Sequence, residues 1–181
     1  ELAPLLEKHS SLNFNGKRGV GGLSMGANGA IHLANTNPEF FHGVFGISGC
    51  YSPMSPVGRQ MVSFVVTSRG GDPENMWGPY GSEEWIRHDA ARDPSGLADK
   101  AVYLSAANGR LTAEEQAFYE GYEVTTMAVG GLLEAGVLSC TRELDNAMKD
   151  AGMTHHKVNY KDAGAHNWIQ FNQELQPAWD H

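Results

Sequence analysis

The sequence predicts an α/β fold, a mostly parallel sheet flanked by helices. Short apolar runs at 17–23, 43–47, 101–106 and 155–160 alternate with segments of helical period, the pattern of βαβ units. A serine flanked by glycines stands where the first of these runs meets the helix after it. The 181 residues are 41% apolar and carry no repeat, low-complexity tract or Pro/Ser linker. One domain with a real core is therefore expected over 1–181.

Each element has its own signal. Residues 1–9 read as the end of an amphipathic helix, with Leu2, Leu5 and Leu6 on one face. Lys17 to Leu23 follows as a strand that runs straight into Ser24. Met25 to Ala34 is helical, with Ile31 and Leu33 available for packing, until Asn35-Thr36-Asn37-Pro38 stops it. Gly43 to Ile47 is the second strand. Residues 52–100, rich in Gly, Pro and Trp, are irregular apart from a short helix near 57–67. Ala101 to Ala106 is the third strand, ended by Asn108-Gly109. A helix over 131–151 carries Leu132, Leu133, Val137, Leu144 and Met148 at helical spacing, and Gly152 caps it. His155 to Tyr160 alternates as a strand, and a last helix follows Asn167.

Composition narrows the function. Thirteen Lys and Arg against 21 Asp and Glu give a formal charge of −8. Without a basic cluster, nucleic acid is not an expected partner. No uninterrupted run of about 18 apolar residues exists, so no membrane-spanning helix is expected. Cys50 and Cys140 lie 90 positions apart in no metal-ligand pattern. They are two buried thiols or one disulfide, and composition does not choose. Nothing calls for a metal or a cofactor.

Gly22-Leu23-Ser24-Met25-Gly26 is a G-x-S-x-G pentapeptide between a predicted strand and a predicted helix. That context suits a nucleophile elbow: the glycines permit a sharp turn that lifts the serine hydroxyl clear of the sheet. The helix starting at Met25 aims backbone N–H groups at the same place, so the Met25 N–H is a candidate oxyanion donor. A serine needs a base. Of eight histidines, His9, His42, His88 and His181 read as surface residues, and His32 as a packing or surface residue. The adjacent His155 and His156 face opposite sides of a strand. His166 differs, standing in the loop Ala163–Trp168 after the last strand, where this chain order puts the base. The acid falls between them. Glu114 and Glu115 stand shortly after the third strand but resemble a solvated helix start. Glu134 is a lone carboxylate in the glycine-flanked apolar stretch 130–136. Glu120, Glu123 and Asp162 complete the candidates, and the residues alone leave the choice open.

The chain resembles the secreted mycolyltransferases of mycobacteria and corynebacteria, the antigen 85 type, which are α/β-hydrolase esterases. The matching stretches are Gly22–Met25, Ile47-Ser48-Gly49, Asn75-Met76-Trp77-Gly78-Pro79, Trp85 with Arg87 and Asp89, Asn108-Gly109, Leu133–Gly136 and Ala165–Trp168. The resemblance implies Ser24 as nucleophile, Glu134 as acid and His166 as base. It implies transfer of a mycolic acyl chain from trehalose monomycolate to trehalose or cell-wall arabinogalactan, through an acyl-serine. Trp77, Trp168 and Asn167 are then substrate-binding candidates, with core or loop packing the other reading of the tryptophans. A secreted or cell-envelope location is implied too, and a Cys50–Cys140 disulfide would fit a corynebacterial-type member.

Residues 110–131 look like an insertion relative to that family. Only one helix and one strand precede Ser24, where the fold normally places several strands. The chain is therefore expected to be the C-terminal part of a larger domain, with an N-terminal segment of the same domain as partner. Two other functions stay in play: a carboxylesterase that passes the acyl group to water, and a non-catalytic cell-surface binding member of the fold.

Overall fold

Four parallel strands form the sheet: β1 (Gly19–Leu23), β2 (Gly43–Ile47), β3 (Ala101–Ala107) and β4 (His156–Lys161), in the order β1-β2-β3-β4. The computed structural model describes residues 2–9, 11 and 13–181. Glu1, Ser10, Leu12 and the side chains of Leu2 and His9 lie outside that description, so the expected place of Leu2 does too.

Alternation along the strands assigns two faces. Val44, Val102, Leu104 and Val158 face a core built with α2 (Met25–Thr36) and α7 (Val124–Asp150), through Ala27, Ile31, Ala34, Leu144 and Met148. Phe45, Ile47 and Tyr103 face the other way, onto Phe171 and Ala178 of α8 (Trp168–Asp180). Helices thus cover both sides, and the strands end together at the edge that carries Ser24, Ser48 and Asn108. In an open parallel sheet the carboxyl ends of the strands are where ligands bind.

The remaining helices are α1 (Leu2–His9), α3 (Pro56–Thr67), α4 (Pro73–Trp77), α5 (Glu83–Arg87) and α6 (Ala113–Phe118). Ser55 caps α3 by accepting from the Gly58 N–H, with Pro56 at the first helical position. Leu5 and Leu6 of α1 are exposed, because among the described residues no element covers that face.

α7 departs most from expectation. It begins seven residues before the expected start at 131 and runs straight through Gly130-Gly131. Glycine is costly inside a helix, but the contact explains it: a side chain at Gly109 would run into the Gly131 carbonyl. Gly109 itself has φ +84°. The two glycines let α7 press against the end of β3. The same helix bears on the membrane expectation. With Gly, Ser and Thr interleaved, α7 reaches a mean hydropathy of 1.4 over 18 residues, long and apolar enough by composition to cross a bilayer. Here Val137, Leu138, Cys140 and Leu144 are buried, and Glu134 at its middle is fully buried and hydrogen-bonded to protein.

Candidate active site

Ser24 sits in the turn between β1 and α2 with φ 54° and ψ −120°. A non-glycine residue there stores on the order of 1–3 kcal/mol of strain and needs surroundings that impose it. Two features do so. The Ser24 N–H donates to the Ile47 carbonyl at 2.9 Å. Gly22 has no side chain because a Cβ there would collide with the backbone of Gly26 and Ala27. The first N–H groups of α2 have no intrahelical acceptors, so the Met25 N–H opens beside the hydroxyl.

His166 joins the two ends of the site. Its Nε2 lies 2.7 Å from Ser24 Oγ and its Nδ1 2.8 Å from Glu134 Oε2. A carboxylate only accepts, so the ring proton belongs on Nδ1, which leaves Nε2 to accept from the serine hydroxyl. Glu134 is fully buried, and three donors converge on its two oxygens: Ser48 Oγ at 2.7 Å and the Ala107 N–H at 2.9 Å on Oε1, His166 on Oε2. Ser48, at the end of β2, also has a positive φ of 52°. Each strand end thus contributes to one chain of hydrogen bonds. Burial, aided by the nearby Glu134 carboxylate and opposed by a backbone contact at Gly49, pushes the Tyr51 phenol far above its ordinary range. The tyrosine beside the carboxylate therefore stays neutral.

A groove of about 450 Å³ opens at Ser24 and His166 and runs between α3 and α7. Its walls are apolar, with Met61 and Val65 from α3, Val129, Leu133 and Val137 from α7, and Trp77 from α4. Trp77 stacks on His88 at 4.4 Å, and His88 on His32 at 4.2 Å. Burial holds the His32 imidazole below its ordinary range, with His88 and Arg87 adding to the effect. Cys50 also lines the groove, and its disulfide to Cys140 ties the loop after Ser48 to α7.

The other candidates fall elsewhere. Asn167 is nearly buried: Oδ1 accepts from the Ile169 and Gln170 N–H groups and Nδ2 donates to Glu115. It caps α8, a structural use of the side chain that stands beside its expected binding role. Trp168 is 67% exposed and packs edge-on against Phe171 outside the groove. Glu114, Glu120, Glu123 and Asp162 are all exposed and none bonds a histidine. Glu115 is not a solvated helix start: it is fully buried, on the backbone beside His166. Ser48 escaped the reading as a functional residue, although the matching stretch Ile47-Ser48-Gly49 contains it. The helix α3 wall escaped because its apolar residues have no motif.

The comparisons agree with this architecture. The family model described as "Putative esterase" matches residues 1–181. The diacylglycerol acyltransferase/mycolyltransferase Ag85A of Mycobacterium leprae (strain TN) is 25% identical over 179 residues, 97% of this chain and 51% of that protein. The Ag85C protein of the same organism is 25% identical over 178 residues, covering 97% and 50%. The chain spans about half the length of the curated relatives it matches. Among solved structures, Mycobacterium tuberculosis MPT51 (FbpC1) superposes with a TM-score of 0.78 at 20% identity, over 99% of this chain and 64% of that one. A ferulic acid esterase superposes with a TM-score of 0.60 at 18% identity, over 98% and 55%. Both likenesses bear on the fold, which is that of the α/β-hydrolases. With the family model matched from end to end, the chain belongs to the esterase family, and acyltransferases of the Ag85 type are among its relatives.

Proposed function

We propose that this chain carries the acyl-transfer machinery of a serine acyltransferase resembling the mycolyltransferases, with Ser24 as nucleophile, His166 as general base and acid, and Glu134 as its orienting carboxylate. The observation that carries the reading is the His166 ring, bridged between Ser24 Oγ and Glu134 Oε2 at 2.7 and 2.8 Å. Ser24 Oγ attacks the ester carbonyl carbon while His166 Nε2 takes its proton, and Glu134 stabilises the imidazolium. The Met25 N–H is one donor to the oxyanion. The bond to the leaving sugar oxygen then breaks, that oxygen takes the proton from His166, and an acyl-serine remains. An acceptor hydroxyl gives its proton to His166, attacks the acyl-serine, and Ser24 recovers its proton as the new ester leaves.

The apolar groove between α3 and α7 supports a fatty acyl group over a polar one. The substrate is read as acylated trehalose, with trehalose or arabinogalactan as acceptor. A secreted or cell-envelope location belongs to the same reading. The Cys50–Cys140 bond supports it, because disulfides persist in oxidising compartments.

A carboxylesterase is the second reading, and the end-to-end match to the family model described as "Putative esterase" favours it. Incubation with a trehalose monoester and free trehalose separates the two. Trehalose diester as the main product supports the transferase, and free acid at every trehalose concentration supports the esterase. No turnover by folded protein overturns both.

A further inference from the structure

The stretch from the end of β3 through the second turn of α7 does more than join the two elements. It touches the loop that carries His166 at three places. Gly109 N–H donates to the Gly164 carbonyl at 3.0 Å, and Gly164 N–H returns a bond to the Arg110 carbonyl at 2.7 Å. The Gly130 carbonyl accepts from the His166 N–H at 3.0 Å. Between these contacts stands Glu115, in the first turn of α6 and without any exposed surface.

Glu115 makes two sets of bonds. Oε2 accepts from the Thr112 N–H at 2.7 Å, while Thr112 Oγ1 accepts from the Glu115 N–H at 3.1 Å, a capping box that starts α6. A capping box needs only that oxygen. The other, Oε1, accepts from the Ala165 N–H at 2.8 Å and from Asn167 Nδ2 at 2.7 Å, one bond on each side of His166. Among the described residues no Lys, Arg or His pairs with this carboxylate. A buried carboxyl without a counter-charge is costly unless its acceptors are filled, and three N–H donors fill them.

We propose that Glu115 is a positioning residue for the base: it holds the Ala165 backbone before His166 and the Asn167 side chain after it, so that one ring reaches Ser24 and Glu134 together. The proposal rests on the acyl-transfer reading of those three residues. The ring bridges two partners on separate elements, α7 and the β1–α2 turn, and tolerates little displacement. The loop between β4 and α8 has no ladder of its own, and Gly164 at φ 143° lies in backbone space that only glycine adopts readily. The brace reaches it from a segment that is distant in sequence.

The test compares Glu115→Ala and Glu115→Gln with Thr112→Ala, which weakens the α6 cap while leaving both bonds to the loop. Gln puts an NH₂ in place of one oxygen, so it serves the cap or the loop but not both. If Glu115 positions His166, Glu115→Ala lowers kcat by about 10–100-fold with KM nearly unchanged, as a displacement of about 1 Å does, and Thr112→Ala keeps kcat within about 2-fold. Proton NMR supplies a readout that does not need turnover: the downfield His166 Nδ1–H resonance is kept in wild type and Thr112→Ala and lost or shifted in Glu115→Ala. Glu115→Gln, with native circular dichroism, stands in where the alanine variant does not fold. Equal losses in the cap and brace variants, or an unshifted resonance and unchanged kcat without the carboxylate, overturn the proposal. A wild-type protein that turns over nothing but shows the resonance change in Glu115→Ala overturns the acyl-transfer reading and leaves the positioning role standing.

Discussion

Three donors on two oxygens make Glu134 the least replaceable acceptor in the site. Glutamine must put a nitrogen where Ser48 Oγ and the Ala107 N–H point, or where the His166 Nδ1–H points. A nitrogen toward His166 costs the imidazole its tautomer, and a nitrogen toward Ala107 sets two N–H donors against each other. Glu134→Gln is expected to lower kcat by about 10⁴-fold with the circular dichroism spectrum retained, and Ser24→Ala to abolish the acyl-serine. A steady-state assay with a chromogenic acyl ester checks both. Ser24 and His166 were legible from local context alone: glycines around a serine between strand and helix, and a histidine in the loop after the last strand. The acid was not, since Glu115 and Glu134 are both buried carboxylates whose difference is only which part of the His166 loop they face. Asn167 reads as a binding residue in a motif, and its Oδ1 also caps α8.

At the scale of elements, α7 has two jobs. Its middle delivers Glu134 and its second half packs on the sheet, so whatever fixes its tilt fixes the acid. The disulfide does so from the groove side, with Cys50 two residues after Ser48 and Cys140 six after Glu134. Replacing both cysteines by serine is expected to cost about 2–5 kcal/mol and lower the melting temperature by about 4–20 °C, with a larger fractional loss of activity than of fold. Calorimetry and the ester assay read the two effects separately. Lower on the same helix, Asp145 is buried and accepts from Lys149 Nζ, Tyr160 Oη and His156 Nε2 at 2.7, 2.7 and 2.9 Å. Burial raises its pKa, but these bonds outweigh it and hold the carboxyl below the ordinary 3.8. A depressed carboxyl pKa contributes stability in full above that unfolded value, and the contribution is lost as pH falls through the folded one. Asp145→Asn is therefore less stable than wild type at neutral pH, and the gap closes below about pH 4. Urea unfolding at pH 7 and pH 3 checks the sign. The sequence signalled α2, β1 and β4 through periodicity and stop signals. It hid the start of α7, because Gly130-Gly131 reads as a break until the backbone of Gly109 is seen against it.

At the scale of the molecule, the sheet gathers Ser24, Ser48, Ala107 and the His166 loop at one edge, and the groove leaves from that edge between α3 and α7. The parallel sheet with helices on both faces followed from alternation of apolar runs. The groove did not, because its walls come from α3, α4 and α7, which no motif links. Val65→Trp, narrowing the groove far from the serine in sequence, is expected to lower turnover of a long-chain ester at least about 10-fold while an acetyl ester is turned over as before. The chain spans about half the length of the curated relatives it matches. Central to all of this is the proposal that Ser24 is a nucleophile activated by His166. Incubation with a fluorophosphonate and intact-mass analysis tests it most directly. The expected result is one adduct per chain, mapped to Ser24, absent in Ser24→Ala and formed far more slowly in His166→Ala. A folded wild-type protein that takes up no adduct, or takes it up equally without His166, would contradict it.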